Sequence, residues 1–282
     1  MTTTELLLDA PDPHHPTTDR YRLSLAADSG DVQAARRLRD EVFSAEFGAI
    51  TPGPDGVDAD DFDDLCDHLI VWHRSDRNDP GHDADRLDAG GAIGSRRGQA
   101  VATYRLLPPH SNDSTPLASG LYAAGEFDVT PLEGLLDSCV EAGRSCVHAD
   151  HRGGTAVSLL WGGIARYMHL SGYRYLVGCA SVALDDGGGN AAAFGDLAMA
   201  RHAAPEKYHC RPYRPFDPTG IERPARATIP PLLKGYLRLG AVVCGPAALD
   251  PEFGTADFLV LLDLERADQR YLRFFLGSAA GR

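Results

Sequence analysis

Val147-His-Ala-Asp-His-Arg-Gly-Gly-Thr-Ala-Val157 is the stretch of sequence that decides the fold. It links an apolar run at Cys139 to Val147, typical of a strand, to an apolar segment of helical length from Ala156 to Leu170. The two glycines let the backbone approach a ligand closely, and the first turn of the following helix carries a partial positive charge. The stretch therefore predicts a strand, a turn and a helix that can bind an anion, although a Gly-Gly turn without a ligand is also consistent with it.

Further strands and helices are predicted on both sides of this unit. Upstream, the pattern predicts a helix at Asp31 to Phe47 and strands at Leu69 to Trp72 and Ala100 to Leu107. Downstream, it predicts strands at Tyr173 to Val182, Ala241 to Cys244 and Phe258 to Leu264, and helices at Ala191 to Arg201 and Pro230 to Leu239. We expect a mixed α/β layer fold with one domain at 20–282, a disordered tail at 1–19 and a mobile insertion at about 74–99.

Composition excludes several classes of protein. The 282 residues carry a net charge of -13, which argues against generic nucleic-acid binding. Without an apolar run of about 20 residues or a signal peptide, the chain is expected to be cytoplasmic. The 6 cysteines form no C-x-x-C pair, so we expect reduced thiols rather than disulfides. His148 and His151 flank Asp150 without the spacing of a zinc motif, so no metal site is predicted.

The charge is unevenly distributed along the chain. Residues 51–90 contain twelve acids and three arginines, a net -9, whereas residues 201–240 contain eight basic and three acidic residues, a net +5. A basic segment on an acidic protein can bind an anionic partner. These charges are also consistent with solvated loops.

Eight short stretches, in order along the chain, resemble one enzyme family. Four of them are Leu38 to Phe47, Asp63 to Val71, Thr103 to Pro108 and Glu141 to His148; the other four are Leu159 to Tyr167, Gly172 to Leu176, Leu232 to Tyr236 and Thr255 to Asp263. With the turn at Arg152, they resemble Gcn5-related N-acyltransferases, and within these the bacterial ornithine Nα-acyltransferases and the related acyl-homoserine-lactone synthases. The last four stretches match the ornithine branch alone.

The resemblance implies a Gcn5-related fold with a central mixed, mostly antiparallel sheet flanked by helices. It also implies transfer of a fatty, 3-hydroxylated acyl group from acyl carrier protein to the α-amine of L-ornithine, which gives lyso-ornithine lipid. Acyl carrier protein is then a co-substrate, no cofactor is bound, and a peripheral membrane contact is expected. Two alternatives stay open: an acyl-homoserine-lactone synthase or another amino-acid N-acyltransferase, and a non-catalytic module that binds lipid or carrier protein.

Glu141 and Arg144 are the predicted catalytic residues. N-acylation requires a group that removes the ammonium proton and donors that stabilise the oxyanion. Glu141, on the strand before the turn, is assigned the acid/base role, and backbone N–H groups near Cys146 and Val147 are candidates for binding the thioester oxygen. Alternatively, Glu141 and Arg144 form a structural ion pair.

Charge complementarity predicts the acceptor site. Arginine binds carboxylates in bidentate fashion, and carboxylates bind an ammonium group. The predicted acceptor-binding residues are Arg39, Arg105, Asp63, Asp64 and Asp67. Alternatively, Arg39 pairs with nearby acids, and the aspartates belong to a solvated acidic loop.

The donor is expected to bind along the turn and the helix after it. Its phosphopantetheine arm is assigned to Val147, Arg152, Gly153, Gly154 and Thr155. The apolar side chains of Leu159, Leu160, Trp161, Ile164 and Met168 either line a slot for the acyl chain or form ordinary core. Docking of the carrier protein is assigned to Arg211, Arg214, Lys234 and Arg238.

Overall fold

The computed structural model describes residues 21–47, 57–74, 98–109, 120–152, 154–268 and 270. The predicted tail at 1–19, most of the predicted insertion at 74–99, and Gly153 lie outside these residues. Across the described part of the chain, no helix combines the length and hydrophobicity needed to cross a membrane.

One large sheet organises the described residues. Its strands are β1 (Tyr21–Leu25), β2 (Asp67–His73), β3 (Gln99–Leu107), β5 (Cys139–Val147), β6 (Tyr175–Ala183), β8 (Val242–Val243), β9 (Ala248–Asp250) and β10 (Thr255–Asp263). They lie in the order β1-β2-β3-β5-β6-β10-β8, and β9 pairs with β10 at one edge. Only β5 and β6 pair in parallel, and the other neighbours are antiparallel. A separate pair joins β4 (Phe127–Asp128) to β7 (Arg211–Pro212).

Helices cover both faces of the sheet. They are α1 (Ser29–Phe47), α2 (Thr155–Ser171), α3 (Gly189–Arg201) and α4 (Pro231–Leu239). Successive strand residues face opposite sides, and in β2 Leu69 belongs to the core cluster that includes α2 and α4, whereas Ile70 packs with Ala35 of α1. The helix α1 therefore lies on one face of the sheet, and α2 and α4 lie on the other.

The structure confirms the predicted elements and adds several others. Each predicted strand and helix has its counterpart within a few residues, including the strand, turn and helix around Val147. The edge strand β1 was not predicted. Nor were the short 3-10 helices, of which Tyr122–Gly125 and Thr130–Ser138 lead into β5 and cover its Cys139 end.

Candidate active site

The strands β5 and β6 separate in the middle of the sheet and form a fork. They pair only between Cys139–Glu141 and Tyr175–Val177. Beyond that point β5 continues along β3 and β6 continues along β10. Gly178 lies where the strands part, and a Cβ atom there would come within 2.3 Å of the Ala142 carbonyl oxygen. A glycine is therefore required for the two backbones to approach so closely at the apex of the fork.

The fork opens into a cleft with a volume of about 490 Å³. One wall is the far half of β5, and the other is the start of the diverging half of β6. Apolar side chains of α2 and α4 line a third side: Val157, Leu160, Trp161, Ile164, Leu232 and Leu233. Three of the predicted slot residues thus reach the cleft, whereas Met168 lies in the core and neither it nor Leu159 lines the cavity.

A β-bulge interrupts β5 inside the cleft. Thr103 pairs with Cys146 and Arg105 pairs with Gly143, so β5 has one residue more than β3 between these pairs. Arg144 takes a positive φ of 49°, which is uncommon for a residue with a side chain. A bulge leaves backbone groups outside the ladder of hydrogen bonds. The irregular backbone lies at Arg144 and Ser145. It comes just before Cys146 and Val147, near which the backbone N–H groups were predicted to bind the thioester oxygen.

Glu141 lies at the apex of the fork, where it pairs with Val177, and it lines the cleft. Its buried carboxylate accepts hydrogen bonds from the backbone N–H groups of Tyr122 (2.5 Å) and Ala123 (2.8 Å). Burial raises the pKa of Glu141 to about 7, although these two amides and the charge of Arg105 act in the opposite direction. A carboxylate with a pKa near neutrality is well suited to proton transfer.

Arg144 does not form the ion pair that was the alternative for Glu141. Its guanidinium instead contacts the carboxylates of Asp58 (3.6 Å) and Asp60 (3.3 Å). The same group lies over the Tyr122 ring, 5.2 Å from its centroid. The acidic segment after α1 thus holds the side chain of the bulge residue at the cleft.

Most of the predicted acceptor residues belong to a buried ion-pair network. Arg39 donates to both carboxylate oxygens of Asp63, at 2.7 and 2.8 Å, and Arg105 contacts the same carboxylate at 3.2 Å. The hydrogen bond from Arg39 and its charge hold the pKa of Asp63 below its ordinary value despite burial, which acts in the opposite direction. Arg105 lines the cleft, whereas Arg39 and Asp63 do not.

Of the remaining two predicted acceptor residues, Asp64 is joined to this network at the surface through Arg36, which also contacts Asp63 at 3.2 Å, and Asp67 is separate from it. Asp64 is exposed and lies 3.5 Å from Arg36, and Asp67 accepts a hydrogen bond from the Tyr167 hydroxyl at 2.7 Å. Neither lines the cleft. The geometry thus favours only Arg105 among the predicted acceptor residues, and their role in binding stays a prediction.

The turn predicted to bind the donor lies at the rim of the cleft. Val147 and Arg152 line the cavity, and Arg152 donates to the Val147 carbonyl (3.1 Å) and pairs with Glu46 of α1. Gly154 has a φ of 100° and precedes Thr155, the first residue of α2, where no side chain caps the helix. Gly153 is outside the described residues. Of the described residues predicted to bind the donor, Val147 and Arg152 therefore line the cleft, whereas Gly154 and Thr155 do not.

The predicted carrier-docking residues are all exposed. Lys234 and Arg238 are four residues apart on α4, so they lie on the same side of this helix. The first turns of α4 also contribute Leu232 and Leu233 to the cleft. Arg211 and Arg214 lie in and just after β7. Their role in docking stays a prediction.

Three carboxylates that were not predicted line the cleft beyond the apex. Carboxylate oxygens of Glu126, Asp250 and Asp257 lie within 4.8 Å of one another. Burial and the neighbouring negative charges raise the pKa of Glu126 to about 8 and also raise that of Asp257. In the sequence, the only signal was an aspartate inside the apolar strand at Thr255–Asp263.

Three of the six free cysteines also line the cleft, namely Cys66, Cys146 and Cys179. Burial raises the pKa of each thiol above its ordinary value, to about 12 for Cys66. These thiols are therefore protonated at neutral pH.

This chain is similar in sequence to a known domain and to curated enzymes. The profile of the acetyltransferase (GNAT) domain matches residues 38–162. The L-ornithine N(alpha)-acyltransferase of Rhodobacter capsulatus is 34% identical over 273 residues, which cover 93% of this chain and 97% of that protein. The enzyme of the same name from Brucella abortus is 34% identical over 274 residues, 92% of this chain and 89% of that one. A solved N-acyl amino acid synthase from uncultured soil microbes, FeeM, aligns with 88% of this chain and 92% of its own at 10% identity and a TM-score of 0.46.

Proposed function

This chain belongs to the L-ornithine Nα-acyltransferase family and is an acyltransferase with the Gcn5-related fold; from that premise we propose that it acylates the α-amine of L-ornithine. The acyl donor in this proposal is a fatty, 3-hydroxylated thioester of acyl carrier protein, and the product is lyso-ornithine lipid. The names of the relatives support ornithine as the acceptor. The observation that carries the proposal is the buried Glu141 at the apex of a cleft that also contains a β-bulge.

In this proposal, the donor lies along the cleft, from the turn after β5 at one end to the fork at the other. The phosphopantetheine arm would run past Arg152 and the uncapped first turn of α2, where backbone N–H groups and an arginine favour its phosphate. The arm would then enter the fork with its thioester beside the bulge at Arg144 and Ser145. The acyl chain would lie along Leu160, Trp161 and the other apolar side chains of α2 and α4.

Glu141 would act as the general base. Each of its oxygens accepts one backbone N–H group, and a carboxylate oxygen has a second lone pair that can take a proton. The proton moves from the ammonium group of ornithine to Glu141, directly or through a water molecule. The freed amine attacks the thioester carbonyl and the C–N bond forms. The nitrogen then gives up a second proton, the C–S bond breaks, and the departing thiolate takes up that proton and becomes the free thiol of the phosphopantetheine arm.

Lipid analysis of cells that express the chain tests the proposal. The wild-type chain should produce a new ninhydrin-positive lipid on thin-layer chromatography, and Glu141→Gln should not. Glu133→Gln is the matched control, because it makes the same change at an exposed position eight residues upstream. Absence of the lipid with the wild-type chain under any acyl supply, or a lipid that persists with Glu141→Gln, would contradict the proposal.

A purified assay identifies the donor. Release of the free thiol is followed with ornithine and either 3-hydroxyacyl carrier protein or the matching coenzyme A thioester. We expect the carrier protein to give the higher kcat/KM. Replacing Arg238 by Glu should raise KM for the carrier protein and leave KM for ornithine unchanged, and unchanged kinetics would remove α4 from the docking surface.

A further inference from the structure

The acidic trio, defined as Glu126, Asp250 and Asp257, is brought together from two regions that are far apart in the sequence. Glu126 follows the 3-10 helix Tyr122–Gly125, Asp250 ends β9, and Asp257 lies within β10. The pairing of β9 with β10 places Asp250 opposite Thr255. Asp257 is only 5% exposed, and all three side chains line the cleft. The trio is therefore part of the cavity wall, not a feature of the solvated surface.

One oxygen of the trio has no partner in the part of the chain that the structure describes. The Oε2 atom of Glu126 is buried and accepts no hydrogen bond there. Asp257, in contrast, accepts a hydrogen bond from the hydroxyl of Thr255 at 2.8 Å, and Ser181 opposite it on β6 provides a second. A buried acceptor without a donor is unfavourable. The Glu126 carboxyl also shares a hydrogen bond with Asp257, and its Oε2 atom is left open to a donor.

Carboxyl groups outnumber basic groups around the trio, and burial together with their mutual repulsion keeps a proton on Glu126 near neutral pH. Glu141 adds a fourth carboxylate close enough to act on Glu126, and Arg144 is the positive side chain that acts on it. Arg144 is shared with two further carboxylates, Asp58 and Asp60. Like charges that are held together out of water repel one another. A ligand that brings a positive charge would relieve this repulsion.

We propose that the acidic trio binds the side-chain ammonium group of the acceptor amino acid and makes the enzyme selective for acceptors with a terminal amine. This inference rests on the proposed function, because it assigns the second amine of the acceptor in the same cleft. An ammonium group has three N–H donors, which matches three carboxylates. A calcium ion takes six to eight oxygen ligands, so it would need both oxygens of every carboxylate or added water, whereas Oδ1 of Asp257 already accepts a hydrogen bond from Thr255. Because Glu141 is close to the trio, the α-amine can lie beside the Glu141 carboxylate while the side-chain amine reaches the trio.

A comparison of two acceptors tests the assignment. Norvaline has the carbon skeleton of ornithine without the side-chain amine. With Asp257→Asn or Asp250→Asn, KM for ornithine should rise about 10- to 100-fold, the range expected for losing a charged hydrogen bond. KM for norvaline should stay within about threefold of the wild-type value, and kcat for ornithine should be retained. Asp137→Asn, an exposed position, is the matched control.

The folded state of the variants is checked by thermal unfolding. Removing one of several repelling charges should leave Tm unchanged or higher, and the half-buried Asp250 provides a second variant if Asp257→Asn does not fold. Equal changes of KM for both acceptors, or no change for either, would overturn the assignment while the acyltransferase activity on ornithine stands.

Titration calorimetry separates failure of the inference from failure of the proposed function. If the wild-type protein acylates no amine, the proposed function fails. Binding is then measured without turnover by titrating ornithine into the wild-type protein and into Asp257→Asn. Binding that the variant loses supports the assignment. No binding of ornithine, binding that the variant retains, or binding of calcium chloride instead of ornithine overturns it.

Discussion

Replacing Gly178 by alanine should damage both the stability and the activity of the enzyme. The new Cβ would lie 2.3 Å from the Ala142 carbonyl oxygen, 0.7 Å inside the 3.0 Å below which such contacts are essentially never found. The clash is with backbone on both sides, so no side chain can rotate to relieve it. The strands β5 and β6 must therefore move apart at the apex of the fork.

The size of the effect follows from this displacement. Overpacking of a core position costs about 1–3 kcal/mol of unfolding free energy, which should lower Tm by about 2–4 °C per kcal/mol in a protein of this size. Val177, next to Gly178, pairs with Glu141. Separation of β5 from β6 therefore also shifts the Glu141 carboxylate relative to the β-bulge. A misplacement of about 1 Å can reduce the rate about 100-fold.

The assay combines thermal unfolding with thiol release from acyl carrier protein in the presence of ornithine. Gly134→Ala serves as the control, because Gly134 is exposed and has nothing within 4 Å of an added Cβ. It should change the unfolding free energy by no more than about 0.5 kcal/mol and leave kcat/KM unchanged. If Gly178→Ala has the Tm and kcat/KM of this control, the close approach at the fork is not required.

Three further predictions concern the charged groups. The value of kcat/KM should rise with pH through about 7 as Glu141 ionises, and Glu141→Gln should lose this limb; a limb that persists would assign the base elsewhere. The pKa of Glu126 is raised from 4.5 to about 8, so the folded state loses stability as pH rises through that interval; Glu126→Gln should gain Tm relative to wild type at pH 9 and not at pH 4, and a pH-independent difference would contradict this. Asp63→Asn removes the carboxylate that pairs with both Arg39 and Arg105, leaves the buried Arg39 paired with Asp58 alone, and should cost about 1.5–3 kcal/mol in urea unfolding; a cost below about 1 kcal/mol would show that the Arg39–Asp63 pair is not needed.

Local pattern predicted most of the fold. The apolar runs at Cys139 to Val147 and Ala156 to Leu170 define their strand and helix through length and periodicity alone, and the structure has both. The strand β1 was missed because only two of its five residues are buried, so its pattern in the sequence is weak. The fork could not be predicted, since it depends on where two strands distant in sequence stop pairing.

The site was only partly predictable. Glu141 could be singled out because it lies on the strand before the turn; the structure shows that it lines the cleft, and its catalytic role stays a prediction. The acidic trio was missed because Glu126 lies 124 residues from Asp250 along the chain, and only strand pairing and the 3-10 helix bring the two together. The positive φ of Arg144 also has no signal in its sequence, since it arises from an extra residue in β5 relative to β3.

The protonated thiols of the cleft bear on the chemoselectivity of the enzyme. A thioester exchanges its acyl group readily with a thiolate, and the thiolate is the reactive form of cysteine. Cys146 and Cys179 face the cavity through which the proposed donor passes, but burial keeps both in the unreactive form. Under the proposed function, burial of these thiols would disfavour transfer of the acyl group to the cavity wall and would favour amide formation.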